Sequence, residues 1–363
     1  MNIIDYVNKY GNFDFNEEEF NDIDNVILSL VSYVDFSGIV SKERREIRLQ
    51  DAANRYFETY TQKEINENIF SIKSAIRLFE HIKDFKRYKD IKLYNYVYEG
   101  NSYKQFSAIT MKLNDQLIYI AFEGTDELIS GWKEDFELAY LYPIPSQVDA
   151  INYINKVIKF KDKKVIVGGH SKGGNLAVTA AMNCNILLRN KIIKVYSNDG
   201  PGLLDEELNS VKFKRIKSKY IHIMPNYSIV GILLGNVNDE VIKSSKKGIL
   251  AHDALNWEVE DTHFISTTLD ESSKSLKNIF EKWLEEYGFE QRMICVNELF
   301  ELFEKNEIYT LIDIRKKGLQ FVLSIIKSSK EFDETAKEMF KQLFTSIYND
   351  YTIKLKEKIG FNK

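Results

Sequence analysis

Apolar residues recur along this chain with two different periods, and the change of period divides it. Ile23, Val26, Ile27, Leu30, Val31 and Val34 fall three or four apart, the spacing of one helix face. Asn21 or Asp22 stands just before them, with a side chain able to cap the first turn. Residues 40–88 are charged and helical in character. From 92 to 122 the period shortens. The runs "KLYNYVYEG", "KQFSAITMKL" and "QLIYIAFEG" are rich in β-branched and aromatic residues, and turn candidates separate them. They predict three strands joined as hairpins.

After Gly124 helical and strand patterns alternate. Val148, Ile151, Ile154 and Ile158 mark a helix over 147–160. "KKVIVGG" is short and apolar throughout, as befits a parallel strand buried on both faces. Residues 172–188 read as a helix, and "KIIKVYSND" and "KYIHIMP" as two further strands. This alternation predicts an α/β domain with a mostly parallel central sheet. From about 270 the pattern is helical to the end. "DESSKSLKNIFEKWLEEYG" is a capped amphipathic helix. "EFDETAKEMFKQLFTSIYNDY" places Phe332, Ala336, Met339, Phe340, Leu343 and Ile347 on one face. The expected organisation is a helical N-terminal segment over 1–90, an α/β core over 91–265 and a helical C-terminal cap or extension over 266–363.

Composition narrows the function classes. A formal net charge of −4, with both signs mixed along the chain, offers no basic field for nucleic acid. Cys184 and Cys295 lie far apart and form neither a metal cluster nor a disulfide framework. No leader pattern opens the sequence, and no apolar run reaches membrane-spanning length. The expectation is a cytoplasmic protein with no integral membrane segment and no cofactor.

The chemistry concentrates in "VIVGGHSKGGNLA", residues 165–177. Gly169-His170-Ser171-Lys172-Gly173 fits G-x-S-x-G, between an apolar strand and a helix-forming run. That context defines a nucleophile elbow, a sharp turn that lifts the serine hydroxyl above the sheet. Gly169 and Gly173 keep side chains out of the crossing of strand and helix. The new helix points free N–H groups at the site, so the backbone N–H of Lys172 is one candidate oxyanion donor. A close-packed glycine turn without chemistry is the plainer reading. A phosphate loop would want its lysine elsewhere.

A serine nucleophile needs a base, and the base needs a carboxylate, in the order Ser, acid, His. His81 lies upstream, His170 lies inside the elbow and His222 reads as a packed strand residue. His252 in "GILAHDALNWEV" is preferred over His263 as the base. The loop "PNYSIVG", where an acid is expected, offers only Ser228. Asp199, at the end of the preceding strand and before Gly-Pro-Gly, is the candidate acid, ahead of Asp253, Asp239 and Asp205. The second oxyanion donor is expected from "AFEGTDELISGWKEDF", at Thr125. Asp126 and Asp135 follow closely. Carboxylates so near an anion-stabilising site should pair with Lys133 or Lys172, or point away. The apolar stretch 228–236, "SIVGILLGN", reads either as pocket lining or lid, or as a core helix.

Together "AFEGTDE", "GGHSKGGNLA", "NDGPG" and "AHDALNW" resemble the lipase class 3 branch of the α/β hydrolases. More closely they resemble a bacterial lipase-like family of unknown function, the Mbeg-like family, over roughly residues 1–265. The resemblance implies an α/β-hydrolase fold, Ser171 as nucleophile, Thr125 at the oxyanion position and His252 as base. Lipases of the branch usually carry the acid where Ser228 stands here, and arginine where Glu123 stands. The expected activity is hydrolysis of a carboxylic ester or acylated lipid through an acyl-enzyme. The alternatives are an acyltransferase or peptidase using the same nucleophile, or a non-catalytic scaffold binding a partner through its helical tail. Peripheral membrane contact or self-association through that tail is the corresponding partner expectation.

Overall fold

Chain order and spatial order coincide in the sheet that organises this protein. The computed structural model describes residues 1–68, 70–100, 104–125 and 129–345. Eight strands lie side by side in sequence order. They are β1 (Ile47–Arg48), β2 (Lys92–Gly100), β3 (Gln105–Lys112), β4 (Leu117–Phe122), β5 (Lys164–His170), β6 (Ile192–Asn198), β7 (Tyr220–Pro225) and β8 (Asp239–Ile242). The first three pairings are antiparallel, and from β4 onward every pairing is parallel. This mostly parallel sheet with flanking helices is an α/β-hydrolase fold. The expected hairpin strands are β2, β3 and β4. Two strands escape the sequence pattern because they are two and four residues long, and β8 opens with two acids.

Right-handed crossovers that always step in one direction put their helices on one face of a sheet. That face receives the helices Pro145–Val157 and Lys172–Asn183, which pack on Ile118, Ile120, Phe122, Val165, Val167 and Val195. The alternate residues Tyr119, Ala121, Ile166 and Tyr196 point the other way. The N-terminal helices cover them, chiefly Asp22–Val31, with Trp257 and Phe264 from beyond the last strand. Asn21, not Asp22, caps that helix, accepting from the N–H groups of Ile23 and Asp24. Asp24 then forms a fully buried ion pair with Arg87, whose guanidinium also donates to the carbonyls of Phe13, Glu18 and Glu19.

The C-terminal helices Glu271–Glu286, Phe289–Lys305, Leu311–Lys317 and Leu319–Ser328 share an apolar cluster with Met224, Ile229, Ile232 and Leu234 of the core. Residues 334–345 are helical and bury Ala336, Met339, Phe340 and Leu343, while Ile347 lies outside the described residues. Among the described residues no helix is long and apolar enough to cross a membrane.

One expected helix is shorter than the pattern predicts, and the core-helix reading of 228–236 gives way. The 172–188 helix stops at Asn183, and Asn185 caps a separate turn, Ile186–Arg189. Residues 228–236 form turns rather than a core helix, because neighbours take up their backbone groups. The Leu233 carbonyl accepts from Gly202, Gly235 exchanges two hydrogen bonds with Leu203, and the Gly231 N–H goes to Asp199.

Asp24→Ala would strand the buried Arg87 cation. It is expected to cost about 3–5 kcal/mol of unfolding free energy, measured by urea titration.

Candidate active site

The turn at Ser171 stores strain, and its neighbours hold it there. Ser171 lies between β5 and the Lys172–Asn183 helix with φ 57° and ψ −135°. For a residue with a side chain this left-handed conformation costs roughly 1–3 kcal/mol. The Ser171 N–H donates to the Asn198 carbonyl at 3.0 Å, and the Ser171 carbonyl accepts from Gly174 at 2.9 Å. Asn198 is itself fixed by Asn25 and Ser29, at 2.8 and 2.9 Å, which gives those two buried polar residues of the helix a purpose. A Cβ on Gly169 would sit 2.2 Å from the Gly173 carbonyl carbon, and one on Gly173 would sit 2.1 Å from the Phe122 oxygen. Both flanking glycines are therefore steric requirements.

Asp199 and His252 meet at this turn. His252 Nδ1 lies 2.6 Å from Asp199 Oδ2. The other carboxylate oxygen accepts from the Ser228 hydroxyl at 2.5 Å and from the Gly231 N–H at 3.1 Å. Burial would raise the Asp199 pKa, but the hydrogen bonds from His252 and Ser228 outweigh it and hold the carboxyl below its ordinary range. Asp199 has φ 49°, a conformation that aspartate tolerates better than most residues. His252 and Ser171 line one cavity, and among the described residues His252 Nε2 makes no hydrogen bond. Among the described residues no hydrogen bond joins the serine hydroxyl to His252, a contact that often tightens only with substrate bound.

His170 is a partner that sequence reasoning left inside the elbow without a role. Its Nε2 lies 2.8 Å from the His252 carbonyl, so this nitrogen carries the proton. Nδ1 receives the Tyr33 hydroxyl at 3.0 Å. Burial, then the neighbouring His252, push its pKa down to about 3, so the ring stays neutral. Trp257 holds the same loop, its indole N–H donating to the Ala251 carbonyl at 2.8 Å. The aromatic residue five positions after a candidate base was the available signal for this anchor.

The loop after β4 and the helix Ile129–Glu137 line the cavity beside Ser171. Gly124 packs so tightly beneath Ser171 that a Cβ there would lie 2.8 Å from the serine Cβ, which brings Thr125 close to Ser171. Thr125 donates its hydroxyl to Asp135 Oδ2 at 2.6 Å. Among the described residues the backbone N–H groups of Thr125 and Lys172 have no hydrogen-bond acceptor. Of the two lysines expected to pair with a nearby carboxylate, Lys172 does so, with Glu134 at 2.9 Å rather than with Asp135, and both partners are only 1% exposed. Asp126 lies outside the described residues. Among the described residues Asp135 Oδ1 is buried without a hydrogen-bond partner, and burial pushes the carboxyl's pKa up to about 6 against the pull of Lys172 and Thr125.

These groups open on a cavity of about 110 Å³. Its polar end holds Thr125, Asp135, Ser171 and His252. Its walls are apolar, with Trp132 and Phe136 on one side, Ile229, Val230 and Leu233 on another, and Phe280 and Leu343 from the C-terminal helices. The stretch 228–236 thus lines the cavity. The other weighed residues are engaged elsewhere. Asp253 caps a short turn and accepts from Ser74, Asp239 pairs with buried His222, Asp205 starts a surface helix and His263 is exposed.

Asp135 makes a pH prediction. Its carboxyl loses a proton near 3.8 when unfolded and near 6 when folded, so its contribution to stability falls as pH rises through that window. Asp135→Asn keeps an acceptor for Thr125 and removes the titration. The variant should gain on the wild type from nearly nothing below pH 4 to about 2–3 kcal/mol above pH 6, read by urea unfolding across pH.

Comparison with known proteins adds the lineage. A solved structure described as the crystal structure of M37 lipase matches 57% of this chain and 67% of its own, at 17% identity and a TM-score of 0.34. No curated protein matches. The Mbeg1-like family model matches residues 82–301. The match starts later than the expected 1–265 and runs past it, through the helix Glu271–Glu286 and most of the next. It therefore takes in the elbow, the Asp199–His252 pair and the helix beside them, and this chain belongs to the Mbeg1-like family.

Proposed function

We propose that this protein is a serine hydrolase cleaving a carboxylic ester or acylated lipid through an acyl-enzyme. The Ser171 hydroxyl attacks the carbonyl carbon while His252 Nε2 takes its proton. Asp199 stays ionised and stabilises the imidazolium. The N–H groups of Thr125 and Lys172 hold the oxyanion. His252 returns the proton to the departing alcohol. Water, activated by the same imidazole, then releases the acid.

The observation that carries this reading is the 2.6 Å contact between Asp199 and His252, made beside a strained serine that lines the same cavity. It also answers the feature that favoured a scaffold, the lack of an acid at Ser228. That serine donates to the carboxylate of the neighbouring strand instead. The apolar walls favour an acyl chain as the part of the substrate taken in. Cys184 and Cys295 are buried free thiols, which suits a reducing cytoplasmic setting.

The test is a hydrolysis screen over p-nitrophenyl esters of increasing chain length, together with fluorophosphonate labelling. Wild type should turn over esters and carry the label on Ser171. Ser171→Ala should lose both while unfolding at an unchanged urea midpoint; near-wild-type turnover in that variant would sink the proposal. Asp199→Asn should lower kcat by at least about two orders of magnitude. Asp253→Asn and Asp239→Asn should leave kcat within a few-fold.

A further inference from the structure

Two adjacent carboxylates on one helix hold the two residues whose N–H groups face the developing charge. Glu134 takes the ammonium of Lys172, and Asp135 takes the hydroxyl of Thr125. Neighbouring positions on a helix point about 100° apart, so one turn can grip two different elements. Glu134 is anchored further. Its Oε2 accepts from the Gln105 N–H at 3.2 Å and its Oε1 from the Ser146 N–H at 3.3 Å. The Lys172 ammonium also donates to the Gln105 carbonyl at 3.2 Å. The elbow helix, the start of β3 and the start of the next crossover helix thus converge on one buried carboxylate.

Nothing in the elbow's own geometry calls for lysine after the serine. The backbone N–H would be present with any residue there. A buried ion pair is weak as a stability device, because an apolar pair of similar volume serves as well or better. Its distinguishing property is direction. It fixes where the Ile129–Glu137 helix sits relative to the N–H of Lys172, and Asp135 passes that position on to Thr125.

Resting on the hydrolase reading above, we infer that the helix Ile129–Glu137 is a clamp that sets the spacing of the oxyanion hole. Lys172, through its side chain, and Glu134 are its positioning residues. The clamp acts on the transition state, where the oxyanion must meet both donors at once. It leaves the binding of the acyl chain alone.

The experiment compares Lys172→Met, Glu134→Gln and the double variant in the full chain, using the best p-nitrophenyl ester from the screen. Lys172→Met strands a buried carboxylate and should melt early. The double variant removes both charges and should regain most of the melting temperature. It should still lose about tenfold or more in kcat with KM within about threefold, the pattern of an interaction made only in the transition state. Affinity for an alkyl boronic acid, a tetrahedral mimic, should fall by the same factor as kcat/KM. Affinity for the matching carboxylic acid should not change. Thr125→Val cuts the clamp at its other, less buried end. Its effect on kcat should be less than additive with Glu134→Gln, because both act through one helix. A folded double variant with wild-type kcat, or a kcat loss without loss of boronate affinity, overturns the clamp. Strict additivity between Thr125→Val and Glu134→Gln overturns it too, and remains measurable if the lysine variants do not fold. A wild type that neither hydrolyses esters nor takes the fluorophosphonate label points instead to failure of the hydrolase reading, and the clamp falls with it.

Discussion

A parallel sheet whose strands follow chain order can bury only one of its faces with its own crossovers, and this constraint governs the rest of the molecule. The second face, with Tyr119, Ala121, Ile166 and Tyr196, would stand bare. The N-terminal helices close it, and in doing so they reach the site. The Asp22–Val31 helix sends Asn25 and Ser29 to Asn198, which holds the strained Ser171. Just past its end, Tyr33 reaches His170, which holds the backbone of His252. The segment that completes the core also tensions both halves of the Ser171–His252 arrangement.

The opposite side of the site is held by charge. Lys172, Glu134, Asp135 and Thr125 form a buried polar seam against an otherwise apolar cavity. Such a seam is rigid only while every member is satisfied. Among the described residues Asp135 Oδ1 lacks a partner, and burial raises the pKa of that carboxyl. Phe136, the next residue along, lines the same cavity and meets the rings of Phe300 edge-on and Phe340 at a tilt, in the C-terminal helical region. The helix that carries Glu134 and Asp135 therefore also meets the tail.

Local patterns in the sequence were enough for the strands with clear alternation and for the elbow and its glycines, and they narrowed the cap of the Asp22–Val31 helix to Asn21 or Asp22. Contacts formed across the sequence were not. No periodicity distinguishes Asp199 from Asp253 as the partner of His252; that choice depends on the register of β6 against β7 and on a turn at 228–231. That Lys172 pairs with Glu134, and not with Asp135 beside it, depends on the phase of a helix that turns about 100° per step, which the sequence does not give. The stretch 228–236 admitted either a pocket lining or a core helix, and what decides against the helix is backbone hydrogen bonding to residues some thirty positions upstream.

Ser228 closes the account of the acid in a way that bears on how such sites change over generations. Its hydroxyl oxygen lies 2.5 Å from Asp199 Oδ1. An aspartate at 228 would set a second carboxylate against the first, and two carboxylates that close cannot both stay ionised. The two strand ends are therefore mutually exclusive homes for the charge that meets His252. A lineage that moves this carboxylate by duplicating it first meets two carboxyls that cannot both ionise. It must cross through a chain in which one carboxyl is protonated or one position already carries a small hydrogen-bond donor. Serine at 228 is such a donor, so the arrangement seen here locks its own choice of strand.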